Sequence, residues 1–159
     1  MSIFFSLLEQ LIALSVPSIV ALQSLLGVTL VQVPNPNTFW QFYEAHPVAG
    51  LVARVDYREQ SSGATKQRPF LVLELRNASI HLHDVEERYG EAHISDLSVH
   101  HPQFIGYWFS VKGHCVAADV DSKTNAVLSV IVDYSRALVP ENAAQQGVPA
   151  DKPVSPVCG

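Results

Sequence analysis

Residues 104–135, "FIGYWFSVKGHCVAADVDSKTNAVLSVIVDYS", carry the longest regular pattern in the chain. Apolar side chains recur at every second position over 105–111, 116–120 and 128–134, and the polar stretches "KG" and "DSKTN" separate these runs. Alternation with a period of two is typical of a half-buried strand. The pattern predicts three consecutive antiparallel strands, a meander whose single apolar face needs a covering element.

The stretch "HLHDVEERYGEAH", residues 81–93, predicts that covering element. Leu82, Val85 and Tyr89 are spaced by three and four residues, which places them on one face of a helix. The acidic residues fall near the start and Arg88 falls near the end, where each charge suits the helix dipole. Gly90 then stands where a left-handed cap would end the helix.

A second pair of strands is predicted before this helix. Residues 50–59, "GLVARVDYRE", alternate as a strand does, and residues 70–75, "FLVLEL", are short and rich in strand-forming residues. The polar residues 60–69 between them would form the turn of a hairpin. No internal repeat is apparent in the sequence.

The N-terminal region predicts a membrane-spanning helix. Residues 11–33, "LIALSVPSIVALQSLLGVTLVQV", contain no charge over 23 positions, which is long enough to cross a hydrocarbon core of about 30 Å. Pro17 would kink a helix, although membrane helices tolerate proline. Two alternatives remain: a cleaved signal peptide, which would open with a basic residue, and a helical hairpin buried in a soluble core.

Aromatic residues predict the contact surfaces. Phe39, Trp40 and Tyr43 follow the uncharged run, and such side chains favour the boundary between membrane and water. Trp108 alternates away from the predicted apolar face of its strand. It would either contact a partner or pack under the hairpin of residues 50–75.

The sequence offers little for catalysis. The net charge of −5 and the lack of a basic cluster exclude a nucleic-acid-binding class, and no nucleophile-elbow or phosphate-loop motif occurs. A zinc site needs three or four converging ligands. The only conceivable set combines His81 and His83 with His100 or His101, and residues two apart do not share a helical face. We therefore expect no metal, no cofactor and no enzymatic activity.

Residues 77–135 carry a family resemblance. Val85, Tyr89 and Gly90 at the helix end, then Val111 and Gly113 in the following hairpin, resemble the small domain of the cytochrome-oxidase-assembly and inner-membrane-translocase accessory family. Those proteins have one membrane span before the domain. The outline is also similar to the small lipoprotein of the outer-membrane barrel-assembly machinery, although no lipidation cysteine follows the uncharged run. Either resemblance implies a non-catalytic accessory role.

These observations predict an α+β protein with three parts: an N-terminal apolar, transmembrane helix region (1–37), a small domain with a helix packed on an antiparallel meander (38–137), and a flexible, proline-rich tail (138–159). The predicted function is that of a single-pass, membrane-anchored accessory or assembly protein. It would bind a partner protein or a membrane complex, and the side of the membrane is open. One alternative is a soluble α+β protein whose N-terminal helices line an apolar ligand pocket, and another is a histidine-based metalloenzyme. The redox states of Cys115 and Cys158 are also open.

Overall fold

The computed structural model of the chain describes residues 2–15, 17–34, 39–60, 69–96 and 102–134. Those residues form a mixed α+β fold, which confirms the predicted fold class. The helices are α1 (Ser2–Ala13), α2 (Ile19–Leu26) and α3 (Leu82–Tyr89). The strands are β1 (Val31–Val33), β2 (Trp40–Ala45), β3 (Val52–Gln60), β4 (Phe70–Leu75), β5 (His93–Asp96), β6 (Phe104–Val111), β7 (His114–Asp121) and β8 (Val127–Asp133).

All eight described strands join one antiparallel sheet in the order β1-β2-β3-β4-β8-β7-β6-β5. The predicted hairpin is β3–β4, and the predicted meander is β6–β7–β8, so both are confirmed. The sequence patterns did not predict β1, β2 or β5. The two meanders meet where the last strand of one, β4, pairs with the last strand of the other, β8.

The strand order reveals two halves with the same layout. Each half has a helix followed by a four-stranded meander, α2 with β1–β4 and α3 with β5–β8. In each half the first strand lies at an edge of the sheet and the last strand lies at its centre. Helices α2 and α3 both have eight residues and both end at a glycine with positive φ, 64° at Gly27 and 90° at Gly90. The repeat escapes the sequence because α2 is almost wholly apolar whereas α3 is charged.

The expectation of one transmembrane helix over residues 11–33 is wrong. The chain there forms two short helices with a break before Pro17, and the Ser18 hydroxyl starts α2 by accepting a hydrogen bond from the Ala21 N–H at 3.1 Å. None of the helices within the described ranges is long and apolar enough to cross a membrane. The apolar side chains are instead buried against the sheet; they are Phe4, Phe5, Leu8, Leu11, Ile12 and Leu22.

Polar contacts fasten α1 to the rest of the fold. Glu9 accepts hydrogen bonds from Arg88 at 3.0 Å and from the Tyr89 hydroxyl at 3.1 Å, and its other carboxylate oxygen lies 3.2 Å from Lys112. The Arg88 and Lys112 cations hold the pKa of the Glu9 carboxyl below its ordinary value. The one charge in the apolar N-terminal stretch therefore has a structural partner on α3 and another at the β6–β7 turn.

The predicted helix ending at Gly90 is confirmed as α3. Its first turn is fixed by the Asp84 carboxylate, which accepts a hydrogen bond from the His81 backbone N–H at 2.9 Å. At its other end the Tyr89 ring stacks on Phe109 of β6, with centroids 5.9 Å apart. The helix thus covers the meander as the sequence predicts. The predicted boundaries at residues 37 and 138 lie outside the described residues.

Candidate partner-binding surface

The three helices lie on one face of the sheet. Tyr89 of α3 stacks on Phe109, and buried hydroxyl groups on the same face reach α1 and the turn that follows it: Tyr134 donates to the Leu11 carbonyl at 2.9 Å and Tyr57 donates to the Pro17 carbonyl at 3.5 Å. Burial raises the pKa of both Tyr134 and Tyr57 above the ordinary value.

Side chains that alternate with this buried set point to the other face, which no helix of the described chain covers. We call it the open face. Strand register defines its central row, with one residue from each strand, running from edge to edge: Val31, Glu44, Asp56, Val72, Ile131, Ala117, Trp108 and His93. The middle of this row, Val72 beside Ile131, marks the point where the two halves meet.

One end of the open face is aromatic. Phe42, Arg58 and Phe70 are cross-strand neighbours on β2, β3 and β4. The Arg58 guanidinium carbon lies 4.4 Å from the Phe42 ring centroid and 5.3 Å from the Phe70 ring centroid. Trp40 meets Phe70 edge-on, with centroids 5.8 Å apart and ring planes at 67°. We call Trp40, Phe42, Arg58 and Phe70 the aromatic end.

Arg58 is held in place from a second side. Its Nη2 and Nε atoms lie 2.9 Å and 3.3 Å from the two oxygens of Asp56. Asp56 is only 6% exposed, since Arg54 lies against it as well, 3.8 Å away. A guanidinium fixed by a carboxylate and lying over a ring is a rigid, partly apolar contact site.

The opposite end of the open face is polar. Arg54 bridges three strands by bonding Glu44 at 2.9 Å and Glu74 at 2.8 Å. Arg54 lowers the pKa of the Glu44 carboxyl, and the two carboxylates raise the pKa of Arg54. Farther along, the Ser129 hydroxyl donates to Asp119 at 3.0 Å. This network joins neighbouring strands and makes this end of the open face polar.

The structure separates the aromatic residues that the sequence singled out. Trp40 belongs to the aromatic end, and Phe39, which is 66% exposed, lies just before it. The Trp108 ring stacks on the His93 ring, with centroids 4.5 Å apart. The strand of Trp108 is five strands away from that of Trp40, or about 24 Å across the sheet. Trp108 therefore does not pack under the β3–β4 hairpin. Tyr43 lies on the helix-covered face, 6.1 Å from Tyr57.

Sequence reasoning missed Phe42, Arg58 and Phe70. The spacing of Trp40 and Phe42, two residues apart, was a usable signal, because alternate residues of a strand share a face. No local signal points to Arg58 or Phe70, since strand register alone brings them beside Phe42.

The histidines do not form a metal site in the described chain. The His81 and His83 rings stack on each other with centroids 5.9 Å apart, and His83 Nε2 is 3.2 Å from the Asp84 carboxylate. His100 and His101 lie outside the described residues. No group of three or more His, Cys, Asp or Glu side chains within the described ranges could hold a metal ion.

The described residues also give no observation in favour of the apolar ligand pocket. Side chains of α1 and α2 fill the space over the sheet in the described structure. A groove of about 470 Å³ lies on the outer side of α1, lined by Ile3, Ser6, Leu7 and Gln10. That groove faces away from the sheet, so it is not the predicted pocket between helices and sheet.

The chain was compared with protein-family models, with curated proteins and with solved structures. No family model, curated protein or solved structure matches the chain. The open face is therefore the feature that bears on function.

Proposed function

We propose that this protein is a non-catalytic binding protein that holds a partner protein on the open face of its sheet. The aromatic end carries the proposal, because it presents tryptophan, phenylalanine and arginine side chains on a surface that the helices leave free. Tryptophan and arginine are enriched among the residues that dominate binding energy at protein interfaces.

The size of the open face fits a protein partner. Eight strands about 4.8 Å apart span roughly 34 Å, and six residues at about 3.3 Å each span roughly 20 Å, so the face measures about 700 Å². A standard interface buries about 800 Å² on each partner. The face is therefore close in size to one side of a standard interface.

The rigidity of the aromatic end favours binding further. Ordering a long side chain on association costs about 0.5–1.5 kcal/mol. The Arg58 side chain is already held by Asp56 and by two rings, so little of this cost remains. A preorganised guanidinium would suit a carboxylate or an aromatic ring of the partner.

The accessory or assembly role implied by the family resemblance is retained in this proposal. The membrane anchor is not needed for it, because the apolar side chains that suggested a span pack against the sheet. Membrane location stays a prediction, and carbonate-resistant fractionation of the full-length chain tests it.

The test is affinity capture from the native cell type with the full-length protein as bait. Phe42→Ala changes the aromatic end, Trp108→Ala changes the other half of the open face, and Val20→Ala is the matched control on the helix side, where Val20 is 74% exposed. Circular dichroism first establishes that all three variants fold.

We expect one protein to be retained by the wild type and by Val20→Ala, and to bind Phe42→Ala at least 10-fold more weakly, which corresponds to about 1.4 kcal/mol. Equal retention by all baits, or a loss confined to Val20→Ala, would refute the proposal.

A further inference from the structure

The middle of the central row on the open face is apolar across four neighbouring strands. Its members on β4, β8, β7 and β6 are Val72, Ile131, Ala117 and Trp108. Each of these side chains is partly exposed. Because neighbouring strands lie about 4.8 Å apart, the four residues form a row about 14 Å long. We call them the apolar stripe.

Carboxylates border the apolar stripe on both sides. On one side lie Asp119 of β7 and Glu74 of β4, and on the other side lies Asp133 of β8. Each is two residues along its own strand from a member of the stripe, and two residues of a strand span about 6.6 Å. The stripe therefore has negative charge about 6.6 Å away on either side.

The open face carries more negative than positive charge in its described strands. Five carboxylates face two guanidinium groups; these residues are Glu44, Asp56, Glu74, Asp119 and Asp133, and Arg54 and Arg58. Asp121 is not counted, because its carboxylate accepts backbone N–H groups of the turn that follows β7. Both guanidinium groups belong to β3, and the sequences of strands β5–β8 contain no lysine or arginine.

We propose that the partner protein contributes a basic amphipathic helix, which lies across the apolar stripe and directs lysine or arginine side chains toward Asp119 on one side and Asp133 on the other. This inference rests on the proposed function for the existence of a partner, and it adds the chemistry of the surface that the partner presents.

The dimensions of this region fit a helix. An α-helix with its side chains is about 10–12 Å across, and the carboxylates on the two sides of the stripe lie on strand positions about 13 Å apart. About nine helical residues span the length of the stripe at 1.5 Å per residue. Lysine and arginine can cover apolar surface with their aliphatic stems while their charged ends reach a carboxylate.

The layering of the fold favours the same occupant. The sheet already packs three helices on its other face, and sheets covered by helices on both faces are a common architecture. A partner helix on the open face would complete such an arrangement. Trp108 would then be buried at the interface, where tryptophan is enriched among the residues that dominate binding energy.

The charge of the face selects against other classes of partner. Phosphate groups of a nucleic acid or of an anionic lipid surface would be repelled by the carboxylates that border the stripe. A basic helix is instead attracted over a distance, so its binding should weaken as salt screens the charges.

The test uses the full-length protein and a synthetic probe, an amphipathic helix of about 18 residues, or five turns. Its leucines form one helical stripe and its lysines border that stripe. One control peptide has glutamate in place of lysine, and the other has the same composition in scrambled order. Tryptophan fluorescence reports binding because Trp108 belongs to the apolar stripe.

We expect the lysine peptide to bind at least 10-fold more tightly than either control peptide, and to bind at least 10-fold more weakly at about 500 mM than at about 50 mM salt. Asp119→Asn and Asp133→Asn should each weaken binding about 2–5-fold, as the loss of one exposed ion pair does. Asparagine at 119 still accepts the hydrogen bond from Ser129.

Glu87→Gln is the matched control, because it removes the same charge from an exposed position of α3 on the helix side. It should leave the affinity unchanged, and circular dichroism establishes that all three variants fold. Absence of binding, equal binding of a control peptide, or a loss of affinity that Glu87→Gln shares would overturn the basic helix.

Failure of the proposed function gives a different result from failure of this inference. If the proposed function fails, Phe42→Ala captures from cell extract whatever the wild type captures, regardless of the peptide result. If a partner is lost from Phe42→Ala but its capture by the wild type is the same at about 50 mM and about 500 mM salt, the proposed function stands and the basic helix is overturned.

Discussion

Substitutions at Leu22 and Val20 of α2 provide a matched test of whether the uncharged N-terminal residues pack in the core of the fold. Both belong to the stretch that suggested a membrane span, but Leu22 is 0% exposed in the core whereas Val20 is 74% exposed. Replacing a buried leucine by alanine removes its transfer free energy and leaves a cavity, so Leu22→Ala should lower the free energy of unfolding by about 2–5 kcal/mol. Val20→Ala should change it by about 0.5 kcal/mol or less, because the valine methyls already contact water.

Urea unfolding followed by circular dichroism measures this difference, with the slope against urea concentration compared among the three proteins. For a chain of this length each kcal/mol shifts Tm by about 2–4 °C, so Leu22→Ala should melt roughly 4–20 °C lower than the wild type. Equal and small effects of the two substitutions would contradict the packing of α2 on the sheet.

Three further predictions follow from particular contacts. Arg88 and Lys112 lower the pKa of Glu9, so the contribution of Glu9 to stability is present above the ordinary glutamate pKa of about 4.3 and is lost as pH falls through the lowered value. The stability difference between wild type and Glu9→Gln, measured by thermal melts, should therefore be constant near neutral pH and shrink toward pH 3. A difference that grows on acidification would contradict this prediction. Tyr134→Phe should cost about 1 kcal/mol in urea unfolding, because it removes the buried hydrogen bond to the Leu11 carbonyl, and no loss would show that this bond is unimportant. Arg58→Lys keeps the charge but loses the planar contact with Phe42 and Phe70, so it should weaken partner capture several-fold with Tm within about 2 °C of wild type, and unchanged capture would exclude Arg58 from the interface.

The second half of the fold could be predicted because its patterns are local. Strands β6–β8 show clear alternation, and α3 combines an apolar face with a glycine stop. Strand β2 was missed because Trp40 and Phe42 face one side and Tyr43 the other, so apolar residues fall on both faces and the alternation disappears. Its aromatic residues then looked like a membrane-boundary cluster.

The N-terminal helices were misread for a different reason. A helix that is hydrophobic nearly all round is typical of both a membrane span and a buried core helix. In the structure the N-terminal stretch forms core helices, since α1 ends before Pro17 and α2 begins after it, and each short helix packs its apolar side against the sheet. Sequence alone could not weigh that proline, because membrane helices tolerate it.

The candidate site was predictable only in part. The outward direction of Trp108 follows from alternation along its own strand. The sandwich of Arg58 between Phe42 and Phe70 depends on the pairing of three strands, and residues 42 and 70 are far apart in sequence. The repeat of two halves was equally hidden, because α2 and α3 share a length and a glycine cap but little side-chain chemistry.

Photo-crosslinking from the centre of the open face tests the binding role most directly. Benzoylphenylalanine replaces Val72, at the middle of the central row, in the full-length protein, and the control carries it at the exposed Val20 on the helix side. We predict a light-dependent adduct with one partner protein from position 72 and none from position 20. Adducts from position 20 alone, or none from position 72 in cells that contain the protein, would contradict partner binding on the open face.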